Sequence, residues 1–312
     1  MDRKWMIENA YSRKEELEVS NKDYREGITK IFSVLASGDI GKGDITTDSL
    51  FSKDKNIKTK IIAKQDGIIA GCGELNYFLK NIEINSNILL QDGSPVKKGD
   101  FVMDISGSAK IFLSYERTIL NIMQRMSGIA TMTEKIAGIM KKAKDEIRIA
   151  GTRKTLLGML DHKAISVGGG LSHRLNLSDA ILIKKNHPEY SGKGIKELLA
   201  ISWNKRKNAR FIEIEATNKD IAIKSAEFFK ILQKNYDGER FPCIIMLDNF
   251  AHEEIKKTIA EIKRKNLYDN VLIEVSGGIN EENIKKFCID GVDVLSIGSL
   301  THSARALDLG IN

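Results

Sequence analysis

Phe211-Ile-Glu-Ile-Glu215, Cys243-Ile-Ile-Met-Leu-Asp248, Val271-Leu-Ile-Glu-Val-Ser-Gly-Gly278 and Val294-Leu-Ser-Ile-Gly-Ser299 follow one pattern. Each is a short apolar run closed by a chemically capable residue or by glycine. Upstream, Ile147-Arg-Ile-Ala150 and Ala180-Ile-Leu-Ile-Lys184 repeat it. Most of the intervals have amphipathic helical rhythm, as in 220–234 and 253–265. Strand then helix, repeated, predicts a parallel sheet with right-handed crossovers. Six such units with no dinucleotide crevice motif predict a closed barrel. A barrel gathers the carboxyl ends of its strands on one face, where chemistry is done. Thr152-Arg153-Lys154, Lys184, Glu215, Asp248, Ser276-Gly277-Gly278 and Gly298-Ser299 stand at those ends.

The region before these units differs. Residues 28–35 read as a helix, followed by strand-like runs at 58–63, 67–70, 87–90 and 101–105. Turn signals punctuate them, and GSPVKKGDFVMDISG reads as a hairpin. A long helix is predicted over 113–140, with Leu120, Met123, Met126, Ile129 and Met132 at helical spacing. Such a stripe is packing rather than a cofactor box. The expected division is an N-terminal domain over 1–115 and a barrel domain over 116–312.

A chain of 312 residues, 42% hydrophobic and 29% charged, has the balance of a globular protein. Its net charge of +7 is spread along the length rather than gathered in an arginine-rich block. No nucleic-acid partner is therefore expected, and the charge would instead draw small polyanions. The three cysteines are far apart, with no CxxC pair, as in a reducing compartment. MDRKWMIENAYSRKEE carries charges throughout, and no run has the length of a membrane span. A cytoplasmic protein without membrane contact is expected.

The chemistry concentrates in Gly151–His187, which contains TRKT, GGG, HR and KKNH. Holding Arg153, Lys154, Arg174 and Lys184 together is costly unless an anion lies between them. Glycines beside such charge suit a carboxylate- or phosphate-rich substrate. SGG after one strand and IGS after the next suit a phosphate, since glycine backbone approaches an anion closely. His302 either points at that phosphate or packs near it. Glu215 and Asp248, on neighbouring strands, suit Mg²⁺ or sugar hydroxyls; an acid pair is the rival reading. Their spacing does not suit zinc, and no HExxH occurs, because His252-Glu253-Glu254 has no second histidine. Gly38–Gly43 has neither Walker nor dinucleotide spacing. A phosphorylated sugar meeting a carboxylate-bearing acid satisfies all these features, so ribosyl transfer with loss of pyrophosphate is the expected reaction class.

These residues sit in motifs that resemble the quinolinate phosphoribosyltransferases. The motifs are GDITTDSL, AKQDGIIAG, ERTILNIMQRMSGIAT, GTRKT, VGGG, HR, LIKKNH, IEIEATN, IMLDNF, SGGI and IGSLTHSARALDL. The resemblance implies an α/β fold: an N-terminal α/β sandwich domain plus a C-terminal incomplete (β/α) barrel. It implies that Arg153, Arg174 and Lys184 hold quinolinate, with Lys154 and His173 close by. Arg117 would reach in from the partner of a homodimer. Glu215 and Asp248 would contact the ribose of phosphoribosyl pyrophosphate and place Mg²⁺, directly or through substrate or water. Lys154 counts with these two as catalytic. Ser276, Gly277, Gly278 and Gly298 would hold the phosphate, and the strand-end reading adds Ser299 and His302 beside them. The product would be nicotinate mononucleotide, for NAD synthesis.

Three departures stand out. Lys185 occupies a position that is usually acidic, and the segment between TRKT and GGG is short and lacks an arginine. An insertion around 235–241 lengthens one crossover. Two other readings are a molybdenum-transport-associated relative acting on another acid and a non-catalytic phosphosugar or nucleotide sensor.

Overall fold

The computed structural model describes residues 3–236 and 241–312. Residues 237–240, the middle of the expected insertion, lie outside them. The chain divides into two compact units, each assembled from three segments. One comprises 14–135, 155–169 and 300–312; the other comprises 1–13, 136–154 and 170–299. The units are discontinuous in sequence, whereas the expected division was one cut after residue 115.

The first unit is built on an antiparallel sheet. Its strands are β1 (Asn56–Ala63), β2 (Gly67–Ile68), β3 (Asn85–Ile88), β4 (Pro95–Val96), β5 (Phe101–Ser108) and, from the C-terminus, β12 (Leu309–Ile311). Four of them pair in the order β12-β1-β5-β3. The expected hairpin is corrected: Pro95–Val96 pairs antiparallel with Gly67–Ile68, not with β5. The intervening turn is held elsewhere, Gly99 N–H donating to Ala63 O and Ala63 N–H to Asp100 O. Helices α2 (Lys22–Ile40), α3 (Ile45–Leu50), α4 (Cys72–Asn81) and α6 (Met159–Val167) belong here.

Helix α5 (Ala109–Lys144) takes up the predicted long helix, and Met123, Met126 and Ile129 of its stripe are fully buried, as packing requires. The short segment after TRKT is pinned by buried Asp161. Its carboxylate accepts a bidentate pair from Arg125 at 2.7 Å and the Leu156 and Leu157 N–H groups at 2.9 and 3.2 Å.

The second unit contains the six strand–helix repeats. Its strands are β6 (Arg148–Ala150), β7 (Ile181–Ile183), β8 (Ile212–Ala216), β9 (Cys243–Asp248), β10 (Leu272–Ser276) and β11 (Val294–Ser296). They form a parallel sheet in the order β6-β11-β10-β9-β8-β7. All six coincide with the predicted runs to within two residues at each end. Among the described residues β6 and β7 do not pair, so the expected closed barrel is corrected to an open sheet. Leu171 instead bridges to Ala150 at that edge.

The sheet nonetheless curls. One apolar cluster contains Ala150, Ala180, Phe211, Ile244, Leu272 and Val294, which lie on or next to all six strands. A flat six-stranded sheet would hold its edges about 24 Å apart. The cluster is completed by Leu171 and by Met6, Ile7, Ala10 and Tyr11 of α1 (Arg3–Tyr11), which plugs the end where the strands begin. After β7 come α7 (Asn186–Ser191) and α8 (Ile195–Lys205), and the later crossover helices follow the expected rhythm. In α9 (Lys219–Lys234), the Asn218 side chain caps the first turn by accepting from Ile221 N–H. In α10 (His252–Arg264), Glu253 and Glu254 open the helix and Lys263 and Arg264 close it, in keeping with its dipole.

Candidate active site

Strand geometry decides which side chains meet. Alternate residues face the same side of a sheet, so Glu213 and Glu215 point inward together, as do Met246 and Asp248, and Glu274 and Ser276. Register then sets neighbours side by side: Ser276 pairs with Asp248 on one flank and with Ser296 on the other. At the strand tips Glu215, Met246, Asp248, Ser276 and Ser296 border a cleft of about 580 Å³, lined wholly by the parallel-sheet unit.

Ten predicted residues line it. Arg153, Lys154, His173, Arg174 and Lys184 form one wall; Glu215, Asp248, Ser276, Gly277 and Gly278 form the other. Arg153, Lys154 and Lys184 are exposed, whereas Arg174 is buried and donates to the Ala180 carbonyl at 3.1 Å. Burial, followed by repulsion from Arg153, lowers the proton affinity of Arg174. The attraction of an anion bound beside Arg174 would offset both effects.

The carboxylate wall has the opposite character. Burial and the adjacent Asp248 raise the pKa of Glu215, against the pull of Lys184 and Lys185. Two hard oxygen donors that repel each other in this way fit Mg²⁺, which prefers carboxylate and phosphate oxygens.

The glycine turn has a steric cause. Gly277 has φ 106°, and a Cβ there would lie 2.3 Å from Asn249 Oδ1. Asn249 is itself left-handed at φ 58°; its N–H donates to Ser276 O at 2.9 Å and its Nδ2 to Asp248 at 2.8 Å. The LDNF motif thus ties the carboxylate strand to the SGG turn.

A family profile described as "Quinolinate phosphoribosyl transferase, C-terminal domain" matches residues 129–312, and its N-terminal counterpart matches 44–127. The chain belongs to this family. It is 36% identical over 296 residues to the "Probable nicotinate-nucleotide pyrophosphorylase" of Methanocaldococcus jannaschii, covering 93% of this chain and 98% of the relative. The Archaeoglobus fulgidus protein of the same name is also 36% identical, over 86% of this chain and 97% of its own. The crystal structure of nicotinate-nucleotide pyrophosphorylase from Ehrlichia chaffeensis superposes with a TM-score of 0.75 at 31% identity, covering 91% and 97%.

Some of the predicted residues do not line the cleft. Gly298 and Ser299 follow β11 in the same unit but are not part of its wall; Ser299 Oγ instead donates to Ile279 O at 3.5 Å. His302, exposed, belongs to the other unit and shares a 2.7 Å hydrogen bond with Ser303. Arg117 also belongs there, exposed on α5. The triple glycine at 168–170 is not in the wall either: a Cβ on Gly168 would meet Ala130 O at 2.5 Å, so this glycine serves helix packing.

The sequence reading missed Tyr11, Glu213, Glu274 and Ser296. The two glutamates lie fully buried beneath the cleft, and Glu213 has no hydrogen-bond partner on either oxygen. Burial and the neighbouring Glu274 push its carboxyl well above the usual range. Glu274 takes the opposite course: burial opposes its charge, but His173 and the Ser296 and Tyr11 hydroxyls hold it below the ordinary carboxylate value. A signal was present, because both stand two positions before a predicted site residue on the same strand face.

Proposed function

We propose that this chain transfers the phosphoribosyl group of phosphoribosyl pyrophosphate to quinolinate, releasing pyrophosphate and CO₂ and forming nicotinate mononucleotide for NAD synthesis. The observation that carries this reading is the two-walled cleft, with cations facing paired carboxylates and a glycine turn. Family membership and the names of its relatives support the same reaction, and none of the relatives cited favours a molybdenum-transport or sensor role.

In this reading Arg153, Arg174 and Lys184 hold the two carboxylates of quinolinate, with Lys154 beside them. The turn of Ser276, Gly277 and Gly278 takes the 5-phosphate, and Gly298 and Ser299 support it from behind. Glu215 and Asp248 hold the ribose hydroxyls and, by their charge, stabilise the oxocarbenium-like centre formed as pyrophosphate leaves. The pyridine nitrogen then bonds to the ribosyl carbon. When the ring's 2-carboxylate departs as CO₂, the electron pair of the broken bond stays on the ring carbon, which takes a proton from water. Glu215 and Asp248 also fit Mg²⁺, which when bound neutralises charge on the pyrophosphate. Arg117, exposed on α5, fits a homodimer in which it completes the site of a second copy. Among the described residues no helix is long and apolar enough to cross a membrane, and small soluble substrates fit a cytoplasmic setting.

Purified protein supplied with quinolinate, phosphoribosyl pyrophosphate and Mg²⁺ should release CO₂ and nicotinate mononucleotide. Arg153→Ala should chiefly raise KM for quinolinate, and Ser276→Trp should block the sugar donor. A folded protein with no turnover, or normal kinetics in both variants, would overturn this reading.

A further inference from the structure

Beneath the cleft, Glu274 gathers two hydroxyls and an imidazole. Tyr11 Oη donates to its Oε2 at 2.7 Å, Ser296 Oγ donates to its Oε1, and His173 Nε2 lies 3.4 Å from Oε2. The other nitrogen of His173 is engaged as well, because Arg174 N–H donates to Nδ1 at 2.7 Å. A neutral imidazole whose Nδ1 accepts carries its proton on Nε2, so Nε2 is the donor toward Glu274.

The backbone at His173 has φ 60°. A residue other than glycine in that conformation carries some strain, which surrounding contacts offset. Tyr11 supplies such contacts: its carbonyl accepts from His173 N–H at 2.9 Å, and its ring meets the imidazole edge-on with centroids 5.2 Å apart. Its hydroxyl acts through Glu274. The next residue along the chain is Arg174, the buried cation of the cleft.

We propose that Tyr11 and Glu274 are positioning residues that lock the His173 ring in its Nε2–H form and thereby aim Arg174 at the carboxylates of the acid substrate. This deepens the reading of the cleft as a quinolinate site and rests on it. The rival occupant is a divalent ion among His173, Glu213 and Glu274, whose ligand atoms lie within 4.8 Å of one another. Such an ion would take the Nε2 lone pair, move the proton to Nδ1 and break the bond from Arg174 N–H. The geometry therefore favours the proton.

Nitrogen NMR of the histidine-labelled full chain, with His173 assigned by its loss in His173→Asn, should show protonated Nε2 and bare Nδ1, unchanged by added Zn²⁺. Tyr11→Phe and Glu274→Gln should raise KM for quinolinate by about tenfold, the scale expected when a binding group is slightly misplaced. KM for phosphoribosyl pyrophosphate should stay within about twofold, since uniform binding at that end is untouched. An Nδ1–H form, stoichiometric Zn²⁺ uptake lost in Glu274→Gln, or equal changes in both KM values would overturn the proposal. If Glu274→Gln does not fold, Tyr11→Phe and the spectrum of the unsubstituted chain still decide. Absence of turnover by the unsubstituted protein would overturn the functional reading instead, and the tautomer would stand or fall on its spectrum.

Discussion

At Glu74, on α4, the folded chain keeps a proton that the unfolded chain releases. Burial, then the nearby Asp92, pushes this carboxyl up to about 7, although Tyr24 Oη donates to it at 2.8 Å. Its second oxygen has no partner. The unfolded carboxyl titrates near 4.5, so between that pH and about 7 the folded state binds the extra proton and stability falls as pH rises. The accumulated loss above pH 7 is about 3 kcal/mol, from about 1.4 kcal/mol per unit. Glu74→Gln should flatten this slope and raise stability at pH 8, as read by denaturant unfolding across pH; an unchanged slope would remove Glu74 as its source. Nothing in GCGEL marks this glutamate as buried, because charge by itself predicts exposure. Glu213 and Glu274 were hidden for the same reason, although their two-residue spacing from Glu215 and Ser276 was in plain view.

Elements were more legible than single side chains. The six parallel strands and the helices α5, α9 and α10 follow from local periodicity, since one buried stripe or run suffices to specify each. The antiparallel unit was less so, because Pro95–Val96 finds its partner at Gly67–Ile68, a pairing that depends on chain path rather than on local pattern. The triple glycine shows the same limit. Its place beside cations suggested an anionic substrate nearby, yet Gly168 closes α6 where a Cβ would strike Ala130 O and Thr133. Gly168→Ala should destabilise this helix contact by about 2 kcal/mol, the cost of forcing extra volume into a packed site. Thermal unfolding would check it, and a neutral result would mean that the contact can relax to admit a methyl group.

At the level of the whole chain, α1 gives the N-terminal segment an unforeseen purpose. Its charged residues masked Met6, Ile7, Ala10 and Tyr11, which close the apolar layer at the start of the parallel strands. Ile7 is 5% exposed, so Ile7→Ala should leave a cavity and cost about 3 kcal/mol. A denaturant midpoint unmoved by this change would mean that the plug is dispensable.

The order of strands and helices, and the list of groups at the strand tips, were determined by the sequence alone, because hydrophobic period and strand-end position are local properties. Tertiary structure decided which of those groups share a cleft, because register and the curl of the sheet bring together residues far apart in the chain. It also decided that burial and the neighbouring Glu274 push the Glu213 carboxyl up while Glu274 itself is held below the ordinary value. Desolvation and the placing of Tyr11, Ser296 and His173 exist only once the strands have folded around them.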